Sequence, residues 1–280
     1  MVKQPYTASR IERCLYQITD VLGDRAYLVV GERAAVLVDA CGGYGDLRTF
    51  VRGITELPLT VLLTHSHYDH IGGSYFFDEV RMSSLEGDRW DEEAQNARTV
   101  YPQLVRRGTC DEATPWALRD GRRPRVLEVG EGDLFDLGGL TVEVVALPGH
   151  TPGSLGYLVR EHRVLLSGDA VTPIMCLFFN ESLGIEAYRQ TLAKMADLPF
   201  DRFYTGHHDV AFSRASLPSF DACAEHALTD RGVTWQHMLL PDFVGTIHFA
   251  PCDTDDVNGP RFRALIGPCA PGSRREHSAH

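Results

Sequence analysis

Apolar residues in this chain gather in short runs that stop at glycine, proline or an acidic residue, the pattern of β-strands joined by tight turns. Cys14-Leu-Tyr-Gln-Ile18, Ala26-Tyr-Leu-Val-Val30 and Ala34-Ala-Val-Leu-Val-Asp39 read as three such strands, with Gly23-Asp24 and Gly31-Glu32 between them. They predict an opening antiparallel meander. Asp46 to Ile54 has helical spacing behind an acidic cap, Leu59-Thr-Val-Leu-Leu63 is a strand, and Glu79-Val-Arg-Met82 is another. Residues 86–107 are polar and helix-prone, whereas 109–123, with Pro115, Trp116 and Gly121, follow no regular period. Trp90 and Trp116 are candidates for lining a pocket or, more commonly, for anchoring a helix.

Arg125-Val-Leu-Glu-Val129, Asp133-Leu-Phe-Asp-Leu137 and the run from Leu140 to Leu147 form a second series of strands, most simply a second sheet. A hairpin of Leu155–Val159 and 163–169, a helix from Glu186 to Ala196, a strand over Arg202–Thr205 and a helix over 213–230 follow. The expected organisation is one domain over 1–268, with 231–268, containing Trp235 and Phe243 to Phe249, as an extended C-terminal appendage. Residues 269–280 are polar and aperiodic and are expected to be a disordered tail.

The chemistry concentrates where the central strand ends. Leu59 to Leu63 runs directly into Thr-His65-Ser-His67-Tyr-Asp69-His70-Ile-Gly72-Gly73. Imidazole and carboxylate suit zinc and similar first-row ions, and a buried strand gives them a rigid base. Side chains alternate along an extended chain, so His65 and His67 share a direction, and Asp69 joins them if the extension persists; His70 needs a turn. Surface histidines that cluster by chance are the competing reading, a poor one for so dense a set.

Composition narrows the partners. The net charge of −11 in 280 residues argues against a nucleic-acid groove, though Arg106, Arg107, Arg122, Arg123 and Arg125 leave room for a local basic patch. A small-molecule substrate is expected instead. With no leader-like or membrane-spanning run, and with seven scattered cysteines lacking any CxxC pair, the chain reads as cytoplasmic with reduced thiols. The oligomeric state is open, a homodimer being one outcome.

The HxHxDH string resembles that of the metallo-β-lactamase-fold hydrolases, and further motifs of that family follow in order. Asp39 resembles the family's first-motif aspartate, which braces the site from behind the ligands. His150 in Leu147-Pro-Gly-His-Thr-Pro-Gly-Ser154 resembles the third ligand motif, Asp169 the bridging aspartate of dinuclear members, and Gly206-His207 the last ligand motif, with His208 in reserve. For Asp39 and Asp169 a plain turn or cap aspartate is the alternative. The resemblance implies a four-layer αβ/βα sandwich of two mixed β-sheets flanked by helices. It also implies two zinc ions, with iron or manganese as alternatives: one on His65, His67 and His150, the second on Asp69, His70 and His207, with Asp169 between them. The implied activity is hydrolysis of an ester, lactone or thioester of a small molecule by a hydroxide shared between the ions, with Asp69 relaying a proton to the leaving group. A phosphodiesterase is the runner-up; a β-lactamase, an iron oxygenase and a non-catalytic binding protein are weaker readings.

Overall fold

Strands rich in Val, Leu and Tyr, each with one face toward a partner sheet and one toward helices, set the architecture. The structure is a computed structural model and describes residues 4–251, 256 and 259–269. The first sheet is seven-stranded and runs in chain order: β1 (Tyr6–Glu12), β2 (Leu15–Asp20), β3 (Arg25–Val30), β4 (Ala35–Val38), β5 (Leu59–Leu62), β6 (Glu79–Met82) and β7 (Arg125–Glu128). β1 to β4 form the antiparallel meander, and the pairings from β4 to β7 are parallel. Parallel pairing needs crossovers, supplied by α1 (Leu47–Arg52), by α2 (Tyr68–Ile71), and by α3 (Trp90–Arg106) with α4 (Ala117–Asp120). Asp46 caps α1, accepting a 2.9 Å hydrogen bond from the Thr49 amide.

The second sheet contains β8 (Leu134–Asp136), β9 (Thr141–Ala146), β10 (Leu155–Val159), β11 (Val164–Gly168), β13 (Arg202–Thr205) and β14 (Phe212–Ser213), in the order β14-β13-β11-β10-β9-β8. The helix α5 (Gly184–Asp197) carries the crossover from β11 to its parallel neighbour β13, and α6 (Leu217–Ala227) follows β14. Between β11 and α5 lies β12 (Ile174–Cys176), which leaves this sheet for a third.

Alternation along the strands divides the core into layers. Tyr27, Val29, Val36, Val38 and Leu62 of the first sheet meet Val142, Val144, Leu155, Tyr157, Val164 and Leu166 of the second. Their neighbours point outward: Leu28, Leu37 and Val61 pack with Leu47 and Val51 of α1, and Leu158, Leu165 and Phe203 pack with Leu192, Met195, Phe220 and Ala224 of α5 and α6. The result is the four-layer α/β/β/α arrangement expected from the sequence.

The structure departs from the sequence reading in one sheet assignment and one unforeseen strand, and decides between the two roles open to Trp90. Arg125–Glu128 is not part of the second sheet; it pairs with β6 at the edge of the first, Glu79 opposite Arg125 and Val80 opposite Val126. Its mostly exposed residues carry no face pattern that could have assigned it to either sheet. The strand β1 was not foreseen, because an exposed edge strand such as Tyr-Thr-Ala-Ser-Arg-Ile-Glu has little apolar alternation. Trp90 lines no pocket: it is wholly buried, with its indole N–H donated to the Tyr75 hydroxyl at 2.8 Å. Trp116 is half-buried and lies flat on Tyr101, the ring centroids 4.3 Å apart.

Beyond residue 231 lie β15 (Val233–Gln236), β16 (Val244–Phe249) and β17 (Ala264–Gly267), which join β12 in a four-stranded sheet of order β12-β17-β16-β15. Of the expected tail, residues 270–280 lie outside the described residues. No described helix is long and apolar enough to cross a membrane.

Phe203 of β13 is completely buried, with Phe212 and Phe220 at centroid distances of 5.4 and 5.8 Å. Phe203→Ala is expected to lower unfolding free energy by about 3–5 kcal/mol through lost burial and a residual cavity. A urea titration of the two proteins, compared at equal slope, checks this.

Candidate metal centre

Each residue of the cluster stands just beyond the carboxyl end of a strand: Asp39 after β4, His65 and His67 after β5, His150 after β9, Asp169 after β11 and His207 after β13. The chain stays extended to His67, where φ is −62° and ψ 147°, and then winds into α2. His65 and His67 therefore share a face through extension, as expected. The extension does not persist to Asp69, and Asp69 and His70 come round through the helical turn instead, the turn that His70 was expected to need.

Among the described residues, three groups have their ligand atoms within 4.8 Å of one another: His65, His67 and His150; His65, His70 and Asp169; and Asp69, His70 and His207. Hydrogen bonds made outward fix which ring nitrogen faces in. His150 Nδ1 lies 2.7 Å from the Cys176 carbonyl and must donate to it, which leaves Nε2 with a lone pair. His67 Nε2 is 3.0 Å from Glu181 Oε1 and donates there, leaving Nδ1 bare. Thr64 Oγ1 donates to Asp39 Oδ2 at 2.9 Å, so His65 Nδ1, 2.9 Å from the same hydroxyl, is its donor. The remaining His65 Nε2 is buried and has no hydrogen-bond partner.

The consequence is an electrostatic conflict. His67 Nδ1 and His150 Nε2, both acceptors, face each other at 3.0 Å. A proton does not relieve the conflict: burial pushes His67 down to about 3 and His150 to about 4, and burial followed by repulsion from His70, His67 and His150 holds His65 well below the imidazole range. A buried array of neutral imidazoles with converging lone pairs is the donor set of a divalent cation.

The opposite side differs. His70 Nδ1 donates to Asp39 Oδ2 at 2.9 Å, and His207 Nδ1 lies 3.3 Å from Asp24 Oδ1. Their Nε2 atoms flank Asp169, His207 at 3.0 Å from Oδ2 and His70 at 3.5 Å from Oδ1, while Asp69 Oδ2 is 3.5 Å from His207 Nε2. Burial opposes charge on both rings, but Asp169 with Asp39 raises His70, and Asp169 with Asp24 raises His207, each well above the usual value. Burial likewise opposes the Asp169 carboxylate, which His207 and His70 nevertheless hold well below the carboxylate range. Burial pushes Asp69 up to about 6. Positive charge is thus favoured here, whether carried by protons or by an ion.

Backbone and outer contacts hold the loops together. Asp39 sits at φ 62°, in the left-handed region, and accepts from the Thr64 amide at 2.7 Å as well as from Thr64 and His70. The buried Glu86 accepts from Ser66 N and Oγ at 3.0 and 2.7 Å with one oxygen and from Gly153 N at 2.8 Å with the other, tying the His65–His70 loop to the His150 loop. Gly206 is needed for space: a Cβ there would stand 2.3 Å from Asp169 Oδ1 and 2.6 Å from His70 Cε1. His208 turns away from the cluster, its Nδ1 3.4 Å from Thr172 Oγ1, and burial pushes it down to about 4.

A model of the metallo-beta-lactamase superfamily matches residues 20–207, the stretch that contains Asp39 and the whole candidate ligand set from His65 to His207. The chain belongs to that superfamily. Among its curated relatives, the acyl-coenzyme A thioesterase MBLAC2 of Gallus gallus is 32% identical over 53% of this chain and 58% of its own length. The probable metallo-hydrolase YqgX of Bacillus subtilis is 27% identical over 52% of this chain and 65% of its own. A hydroxyacylglutathione hydrolase of Xanthomonas axonopodis is 28% identical over 68% and 62%. The chain thus spans about three-fifths of the length of these relatives. A metallo-beta-lactamase family protein of Thermus thermophilus superposes with a TM-score of 0.54 at 23% identity, over 81% of this chain and 83% of that one, a likeness of fold.

The metallo-beta-lactamase scaffold brings together the seven candidate ligands and Asp39, and leaves His208 outside the cluster. Sequence reasoning missed the outer partners Asp24, Thr64, Glu86, Glu181 and the Cys176 carbonyl. Thr64 alone had a signal, its place beside His65; Glu181 and Asp24 lie in irregular segments where a carboxylate is indistinguishable from a solvated one.

The protonation pattern predicts how metal uptake varies with pH. The group of His65, His67 and His150 is neutral well below pH 6 and needs no proton release, so its affinity is expected to change little between pH 6 and 8. The group containing His70 and His207 must shed protons, so its affinity is expected to rise at least about tenfold per pH unit over the same range. Chelator-competition titrations of metal-free protein at pH 6, 7 and 8 resolve the two.

The geometry also separates the adjacent histidines. His207→Ala is expected to bind one equivalent less metal than the wild type, whereas His208→Ala keeps the full complement. Elemental analysis after zinc loading measures both, and a depleted His208→Ala beside a replete His207→Ala reverses the assignment.

Proposed function

We propose that this chain is a metal-dependent hydrolase that cleaves the thioester, ester or lactone bond of a small molecule, with thioesters foremost. The observation that carries the reading is the convergence of buried, unprotonated imidazole nitrogens on one side and an Asp169-centred, charge-hungry group on the other. In this reading His65, His67 and His150 would hold one ion and Asp69, His70 and His207 a second, with Asp169 available to both. When bound, a pair of divalent ions, zinc foremost, supplies Lewis-acid polarisation of the carbonyl and lowers the pKa of water toward neutrality.

The chain's own residues do the rest. Asp39 and Thr64 keep Nε2 of His70 and His65 turned inward, and Glu181 and the Cys176 carbonyl do the same for His67 Nδ1 and His150 Nε2. Asp69, its side chain about one-fifth exposed, takes a proton at Oδ2 from the attacking water and passes it to the departing sulfur or oxygen as the acyl bond breaks. Support for acyl chemistry over phosphodiesters comes from the named activities of the thioesterase and hydroxyacylglutathione hydrolase relatives and from the net charge of −11, unsuited to a polyanion.

Zinc-loaded protein screened against thioesters, lactones, aryl esters, phosphodiesters and β-lactams tests the proposal. Thioesters are expected to be turned over fastest, and chelator is expected to abolish the activity. Asp39→Ala is expected to lose about 10- to 100-fold and Asp169→Ala more, because the former orients a ligand and the latter is one. Faster turnover of phosphodiesters, or chelator-resistant hydrolysis, refutes the reading.

A further inference from the structure

Beside the three-histidine group stands an aromatic cluster that the metal chemistry does not require. Phe179 lies 4.4 Å from the His67 ring and 5.4 Å from that of His150, centroid to centroid. Phe178 packs on Phe179 at 4.1 Å, Trp235 on Phe178 at 5.0 Å, and Phe243 meets Phe178 and Phe179 at 5.9 and 5.5 Å. All four rings are only partly buried, unlike the completely buried aromatics of the core.

These residues come from separate parts of the chain. Phe178 and Phe179 follow β12, Trp235 is in β15, and Phe243 precedes β16. The third sheet brings them together: Trp235 pairs with Gly245 across β15 and β16, and Gly245 lets Phe178 lie against the strand, where a Cβ would stand 3.2 Å from that of Phe178. On its far side Phe243 joins Leu239, Leu240 and Tyr68 in a cluster that includes Val100 and Leu104 of α3. The connection between β15 and β16 is thereby anchored at both ends and holds its rings beside the catalytic loops.

We infer that this aromatic wall is the acyl-chain subsite of the proposed hydrolase, and that the substrate carries an apolar acyl chain of several carbons. The inference rests on the reading of the centre as an acyl hydrolase. An acyl carbon poised at the metal centre extends its tail into whatever borders the ligands, and on the side of His67 and His150 that border is aromatic. Four partly exposed rings held rigid by a sheet lose little conformational entropy when an alkyl chain covers them, and each methylene removed from water strengthens binding about fourfold. Leaving such a patch to water is unfavourable, and its continuity with the ligands distinguishes it from scattered surface residues.

The test uses zinc-loaded protein and non-hydrolysable ketone analogues, a methylene replacing sulfur, of acetyl and octanoyl thioesters. Calorimetric titration is expected to give the octanoyl analogue about 60-fold tighter binding, as for three covered methylenes. Phe243→Ala and Trp235→Ala, with metal content verified, are each expected to cut that preference to about tenfold or less, and Phe243→Leu to retain most of it. Equal affinity for the two analogues, or a preference untouched by the alanine variants, overturns the subsite. A mass that rises with protein concentration and falls in Phe243→Ala, without chain-length preference, does so as well by assigning the rings to self-association. Chain-length-dependent binding without turnover of any thioester, ester or lactone leaves the subsite standing and refutes the hydrolase reading instead.

Discussion

The centre depends on one constraint: imidazole lone pairs forced to face each other where no water can separate them. His67 and His150 meet at 3.0 Å, nitrogen to nitrogen, because each has given its N–H to an outer acceptor, Glu181 in one case and the Cys176 carbonyl in the other. Neither contact alone would be unusual. Together, inside a cluster where burial suppresses protonation, they set two lone pairs against each other, an arrangement that a cation stabilises.

The surrounding architecture maintains that conflict. Strands of both sheets end at one edge of the sandwich, so loops distant in sequence deliver side chains to one volume, and the interior layer of Val, Leu and Tyr keeps those strand ends from shifting. Glu86 and Asp39 then link the loops to each other, Glu86 through backbone amides of two ligand loops and Asp39 through Thr64 and His70. A buried carboxylate is costly to maintain, and both are satisfied by several donors, which makes them rigid struts. Gly206 completes the arrangement by removing the one Cβ that would separate Asp169 from His70.

Sequence periodicity settled most of the elements, because alternating strands and helical stripes are local patterns: the opening meander, a second series of strands, the β10–β11 hairpin and α5 could all be read from it, while their stacking into a sandwich came from the resemblance. The HxHxDH string was equally legible, since metal ligands cannot be spread out when they must follow a single strand end. Resemblance then extended the reading to His150, Asp169 and His207, whose spacing along the chain carries no geometric information of its own.

Other features were decided by contacts between segments far apart in the chain. Arg125–Glu128 joined the first sheet because β6 offered a parallel edge, a fact that its own exposed residues cannot encode. The choice of His207 over His208 followed from how the chain leaves β13, with Asp24 holding one ring and Thr172 beside the other. Glu181 and Asp24 were invisible as site residues because orienting a ligand requires only a carboxylate oxygen at hydrogen-bond distance, which any irregular loop can supply. The aromatic group of Phe178, Phe179, Trp235 and Phe243 likewise exists only once β12 pairs with β17. Ligand identity is local chemistry and is written in the sequence; ligand orientation and the shape of the surroundings are long-range packing and exist only in the folded chain.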